Sequence, residues 1–157
     1  MAIETPRLLI KRIQPRDVVQ LTPLLEYQSL FRRGGLVTNG QIDLNTLQFL
    51  AQSDCLLQIE KKSHKLIGLI FLLHVYGNTG EVLLKHYELG YLLIPQAQHY
   101  GYMTEALSSV CRKLQQNHIG LVAEVRKDNK SSKRVLQRCG FTRTGSDSSE
   151  LIERWQL

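Results

Sequence analysis

Gln98-His99-Tyr100-Gly101-Tyr102-Met103-Thr104-Glu105-Ala106 joins a glycine-containing turn to the opening of a helix. Before it runs Tyr87-Glu88-Leu89-Gly90-Tyr91-Leu92-Leu93-Ile94-Pro95, rich in aromatic and aliphatic residues and stopped by its proline. After it, Met103, Ala106, Leu107, Val110 and Leu114 recur on one helical face. The order is therefore strand, tight turn, helix. Turn amides and a helix N-terminus converge on one point, where unpaired N–H groups and the positive dipole end favour an anion. A phosphate or pyrophosphate suits such a site. The three-glycine dinucleotide fingerprint and the Gly-Lys-Ser/Thr ending of a triphosphate loop are both missing. Gly101 permits positive φ and close backbone approach, although an ordinary turn glycine would look the same.

The stretch resembles the coenzyme-A loop of the GNAT acetyltransferases, Gln/Arg-x-x-Gly-x-Gly/Ala, through Gln98 and Gly101. Met103 departs from it, standing where the family has a small residue. Its place in the apolar stripe lets the side chain turn away while its amide stays free to donate. Glu88-Leu89-Gly90-Tyr91 upstream and Thr104-Glu105-Ala106-Leu107 downstream are similar to the branch that acetylates ribosomal-protein N-termini. Thr5-Pro6-Arg7-Leu8-Leu9-Ile10-Lys11-Arg12 looks like the opening strand of that family. Asn129-Lys130-Ser131-Ser132, running on to Gly140-Phe141, looks like its Asn-x-x-Ser…Gly-Phe helix.

The resemblance implies an acetyltransferase that moves an acetyl group from acetyl-CoA to a primary amine, by direct attack on the thioester. The acceptor would be a protein N-terminus or a small amine. Free backbone groups of Leu92 and Leu93 would pair with the pantetheine arm, and Asn129 would hydrogen-bond it. Residues Gln98, His99, Tyr100, Gly101, Tyr102, Met103 and Thr104 would form the pyrophosphate loop. Lys130, Lys133, Arg134 and Arg138 are candidates for the 3′-phosphate, or simply a solvated charged face.

Two residues are candidates for proton transfer. Glu88 shares a strand face with Gly90, Leu92 and Ile94, roughly 13 Å before Leu92 at ~3.3 Å per residue. That distance suits a general base acting through water; the alternative is a glutamate bonded to a neighbouring strand. Ser132 shares a helical face with Val135, Leu136 and Cys139 and should point inward. The resemblance implies that it protonates the leaving coenzyme-A thiolate, while the alternative is an N-terminal serine capping backbone amides. Some branches place a tyrosine acid seven residues after the asparagine; here that position is Leu136. Asn129 itself reads equally as a helix N-cap.

These residues need a scaffold. Residues 7–13 read as a strand, and the apolar pattern through Val18, Val19, Leu21, Leu24 and Leu25 reads as a helix that Pro23 interrupts. Residues 31–41, with Gly34, Gly35 and Gly40, read as a mobile connection. A helix over 44–52 precedes a hairpin of 56–60 with 65–75, whose tip carries Lys61, Lys62 and Lys65. The Gly77-Asn78-Thr79-Gly80 turn leads into the long strand, and the loop helix extends to about residue 117. A strand at 121–125 follows, then a helix over 129–139 closed by Gly140, and strands at 141–144 and 151–157. The mixture predicts an α/β (α+β) fold with helices packed on one sheet. The resemblance sharpens this to a GNAT fold, a mixed and largely antiparallel sheet splayed at the cofactor site, with residues 1–157 as one domain.

The 157 residues suffice for a substantial core. Hydrophobic residues at 43% and charged residues at 22% exclude a disordered chain. No apolar run reaches a membrane span and no signal-peptide pattern opens the chain, so a cytoplasmic protein without membrane partners is expected. Cys55, Cys111 and Cys139 form neither a disulfide framework nor a metal pattern, and they read as buried small hydrophobes. The histidines do not cluster at metal spacing, so no metal is expected. A net charge of +6 reads as a solvated basic surface, because no aromatics interleave the basic runs. Nucleic acid is therefore not the expected partner, and a homodimer is an expectation for a small enzyme. A non-catalytic acyl-CoA sensor would carry the same loop.

Overall fold

The apolar runs Leu66–Tyr76 and Val82–Leu93 are buried in their shared half on both faces, which only a central strand pair with cover on each side allows. In the computed structural model, which describes residues 2–36 and 38–157, they form β4 and β5. Ahead of them lie β1 (Ala2–Glu4), β2 (Leu8–Arg12) and β3 (Cys55–Lys61). After them come β6 (Gly120–Arg126), β7 (Thr142–Ser146) and β8 (Ile152–Gln156). The helices are α1 (Gln28–Arg33), α2 (Leu44–Ser53), α3 (Tyr102–Gln115) and α4 (Lys130–Arg138). One sheet runs β1-β2-β3-β4-β5-β6-β8-β7.

Every neighbouring pair in that sheet is antiparallel except β5 and β6. Those two run parallel, joined only over His86↔Gly120, Tyr87↔Leu121 and Glu88↔Val122. Beyond Glu88 the strands part, while β5 continues to Leu93 against β4. The sheet is therefore splayed along the second half of β5.

Parity assigns the two faces. Tyr91 reaches Ser132 on α4, whereas Gly90 backs onto Gly34 at the end of α1. A Cβ on Gly90 would collide with the Phe71 ring and the Gly34 carbonyl oxygen, and one on Gly34 with the Tyr91 carbonyl oxygen. The bare backbone at both positions is what lets α1 settle on β5. On the other face, Met103, Ala106, Leu107, Val110, Cys111 and Leu114 turn the buried side of α3 into the core. Burying each large aliphatic side chain there contributes ~1.5–3 kcal/mol.

Several sequence expectations need adjustment. Residues 15–24 form a 3-10 helix rather than an α-helix, with Pro23 inside it. Residues 31–33 complete α1 instead of opening a loose connection; Val37, within that connection, lies outside the described residues. The short strand β1 was not expected.

Candidate active site

The loop after β5 is built to leave donors free. Pro95 opens a short 3-10 turn, and the Gln98 side chain reaches back so that its Nε2 donates to the Leu93 carbonyl at 2.9 Å. His99 and Gly101 both take left-handed backbone, with φ of 69° and 77°. For histidine that conformation is strained, of the order of 1 kcal/mol or more. The first loop-to-helix bond runs from the Glu105 N–H to the Gly101 carbonyl at 3.0 Å. Among the described residues, the N–H groups of residues 99–104 have no acceptor. Gly101 is the N-cap of α3 and offers no side-chain cap. All of residues 99–104 but Tyr100 line one cleft, at the positive end of the helix dipole.

That cleft has a volume of about 570 Å³ and lies in the splay. Leu30, Arg33 and Gly34 close one side, and Tyr91, Leu92 and Leu93 of β5 form the back. The loop contributes Gln98, His99, Gly101, Tyr102, Met103 and Thr104, and α4 contributes Asn129, Ser132 and its neighbours. All the residues expected at the pyrophosphate loop and the pantetheine arm line it except Tyr100; of the 3′-phosphate candidates, Arg134 and Arg138 line it and Lys130 and Lys133 do not. The Tyr100 side chain is 63% exposed, and its carbonyl accepts from Arg7 Nη1 at 2.9 Å, outside the cleft. Met103 is largely buried in the core, as its stripe position requires.

The backbone assignment on β5 is corrected in one respect. Ile94 N–H donates to the Ile67 carbonyl on β4, and alternation turns the Leu92 groups the same way, opposite Leu69. Tyr91 and Leu93 point their backbone groups into the splay instead. The Tyr91 N–H is taken by the Gly34 carbonyl at 3.1 Å and the Leu93 carbonyl by Gln98. The Leu93 N–H faces the splay, where β6 no longer offers a partner. Leu92 lines the cleft without lending it a free backbone group.

Asn129 caps α4, its Oδ1 accepting from the Ser132 N–H at 3.3 Å and the Ser131 hydroxyl at 3.2 Å. Ser132 is thereby relieved of capping. Its Oγ lies 2.7 Å from the Tyr91 hydroxyl, which also donates to the Ser132 carbonyl at 3.1 Å. Burial pushes the Tyr91 phenol above its ordinary range, outweighing the Ser132 bond that pulls it down. It stays protonated at neutral pH. Strand parity had already put Tyr91 opposite Glu88; what went unread was that α4 brings Ser132 to meet it.

Glu88 does not line the cleft. It is the last β5 residue paired with β6, at the vertex of the splay, and its side chain lies on the face opposite Tyr91. Burial raises its pKa above the ordinary carboxylate value, and the nearby Glu124 carboxylate adds to the shift. The thiols are poor nucleophiles. Burial pushes Cys111 up to about 12, with Cys139 adding to it, and burial also raises Cys139. Among the described residues no cluster of metal-ligating side chains occurs and no helix is long and apolar enough to cross a membrane.

Arg7 and Glu105 were not singled out, yet they hold the loop from behind. Glu105 Oε2 accepts from Arg7 Nε at 2.6 Å, and Oε1 accepts from the Thr5 hydroxyl at 2.6 Å and the Arg7 N–H at 3.0 Å. Burial pushes the Glu105 carboxyl up, but the Thr5 and Arg7 bonds prevail and hold it below its ordinary value. The pair lies 98 positions apart in the sequence, and no local signal announces it.

The comparisons with known proteins agree with this geometry. The family model of the acetyltransferase (GNAT) domain matches residues 7–142. Among solved structures, the GNAT domain of S. lividans PAT is similar with a TM-score of 0.81 at 13% identity, covering 99% of this chain and 96% of that one. RimL, a ribosomal-protein alpha-N-acetyltransferase solved with coenzyme A, is similar with a TM-score of 0.77 at 15% identity over 100% and 97% of the two chains. An acetyl transferase from Salmonella typhimurium that modifies the N-terminal serine of a 50S ribosomal subunit protein gives 0.76 at 16% identity over 100% and 98%. No curated protein matches the chain. With the family model spanning most of its length, this chain belongs to the GNAT acetyltransferases, enzymes that draw their acetyl group from acetyl-CoA.

Proposed function

We propose that the chain acetylates the α-amine of a protein N-terminus by direct attack on acetyl-CoA bound in the splay. The observation carrying this is the row of free amides at residues 99–104, opening into the cleft that also holds the Tyr91–Ser132 hydroxyl pair. The amides suit the pyrophosphate, and the Leu93 N–H suits the pantetheine arm. Bound acetyl-CoA supplies an electrophilic thioester carbonyl. The amine nitrogen forms the new C–N bond as the C–S bond breaks.

Ser132 donates its proton to the departing sulfur, held in place by its hydrogen bond to Tyr91, which stays protonated, and regains a proton from solvent before the next turnover. Glu88 accepts the amine's proton through water. Its place on the face of β5 opposite Tyr91 keeps the base apart from the acid, so that each can act on its own proton. Buried Cys111 and half-buried Cys139, both with raised thiol pKa, argue for direct attack over an acyl-cysteine route. A protein N-terminus is favoured as acceptor by the likeness to RimL and the Salmonella enzyme, both described as acting on ribosomal proteins.

Incubating the enzyme and acetyl-CoA with a panel of N-terminal peptides and small polyamines, read by mass spectrometry, tests this. Acetylation of peptide α-amines is expected. Acetylation confined to small amines would overturn the acceptor class. Because Glu88 lies outside the cleft, a second reading is a non-catalytic acyl-CoA sensor; tight acetyl-CoA binding without acetylation of any amine would favour it.

A further inference from the structure

The Thr5-Pro6-Arg7 turn between β1 and β2 has no part in the chemistry above, yet it is bonded to the loop helix across the molecule. The turn is itself closed: Thr5 N–H donates to the Leu8 carbonyl at 3.0 Å, and the Leu8 N–H donates to Thr5 Oγ1 at 2.9 Å. From that anchor Arg7 spreads over the back of the loop. Its Nε binds Glu105, its Nη1 binds the Tyr100 carbonyl, and its Cζ sits 4.6 Å from the centre of the Tyr102 ring. Its Nη2 lies 3.6 Å from where a Cβ on Gly101 would stand.

The consequence follows from peptide geometry. In a planar trans peptide the C=O of one residue and the N–H of the next point in opposite directions. Arg7 holds the Tyr100 carbonyl outward, so the Gly101 N–H is aimed the other way, toward the cleft that Gly101 lines. Left to itself, a loop of converging donors with strained backbone at His99 would relax. Glu105 matches the Arg7 charge, so the pair adds little net positive field and works by placement rather than attraction.

The geometry points to Arg7 as a positioning residue for acetyl-CoA, latched by Glu105 and Thr5, that aims the loop amides at the pyrophosphate without entering the cleft. This rests on the acetyl-CoA site proposed above. Lysine cannot replace arginine here, because one ammonium lacks the planar fork that serves Glu105 and Tyr100 together.

The test is calorimetric titration of acetyl-CoA into wild type, Arg7→Ala and Arg7→Lys, with turnover on S-acetyl-pantetheine, a donor lacking the pyrophosphate, measured alongside. Both variants are expected to weaken acetyl-CoA binding by ~10-fold or more. The loss in kcat/KM should be several-fold smaller for the pantetheine donor. Wild-type affinity in Arg7→Lys would overturn the proposal in favour of simple charge attraction. Equal losses with both donors would overturn it in favour of general structural damage. Should Arg7→Ala fail to fold, Glu105→Gln serves: weaker acetyl-CoA binding supports the latch, and wild-type affinity overturns it. A wild type that does not bind acetyl-CoA would instead bring down the site assignment beneath.

Discussion

The Tyr91 and Ser132 hydroxyls lie 2.7 Å apart across the gap between β5 and α4, joining a strand residue to the first turn of a helix forty-one positions away. Asn129 holds the Ser132 amide, so the serine hydroxyl is free of capping, and among the described residues its partner is a phenol that burial keeps protonated. That bond fixes the direction of the serine hydroxyl.

Ser132→Ala is expected to lower kcat by ~10²-fold or more while acetyl-CoA affinity stays near wild type, because a leaving-group acid acts in the transition state. Tyr91→Phe should lower kcat by ~10-fold, as the serine keeps its hydroxyl but loses the hydrogen bond that orients it. Asn129→Ala is the contrasting case, costing ~1 kcal/mol of stability through the lost cap. Steady-state kinetics and thermal unfolding on the same preparations check all three.

Glu88→Gln should cut turnover by ~10²-fold with acetyl-CoA affinity little changed, and higher pH should partly restore it by supplying neutral amine. A stability signature accompanies this. Burial and Glu124 raise the folded-state pKa of Glu88, so the native chain binds this proton more tightly than the unfolded chain. Stability therefore falls as pH rises from the ordinary carboxylate value through the raised one. Glu88→Gln removes that fall, and denaturation midpoints measured against pH should converge with wild type on the acid side and exceed it above the window.

Gly101→Val places a β-branched side chain at φ 77°, where the cost is backbone strain rather than space. A loss of ~1–2 kcal/mol is expected, together with loss of the acetyl-CoA-induced melting shift. That shift should reach ~2.7 kcal/mol in wild type at 100 times the dissociation constant.

Cys111→Ala and Cys139→Ala should each retain turnover per folded molecule within a few-fold, and no acetylated cysteine should be trapped on the wild type. A stalled acetyl-cysteine seen by intact mass spectrometry would replace direct attack with a two-step route.

Much of the scaffold was legible because single residues declare local needs. Gly101 and Gly140 both take the positive φ their positions implied, at 77° and 92°, and the stripe from Met103 to Leu114 is the buried face of α3. What could not be read depends on contacts distant in sequence. The helix α1 is too short to announce itself and is held by the fit of Gly34 on Gly90. Whether Leu92 or its neighbours face the splay depends on the hydrogen-bond parity of β4 with β5, which apolar side chains on both faces conceal. The Tyr91–Ser132 and Arg7–Glu105 pairs are made by folding alone.

Amide hydrogen exchange followed by NMR, with and without acetyl-CoA, tests the assignment of the splay as the acetyl-donor site most directly. Strong new protection is expected at residues 99–104 and at Leu93, with Leu92 already protected in the free protein by its pairing with β4. Saturating acetyl-CoA that leaves those amides unprotected, or protects a different surface, would contradict it.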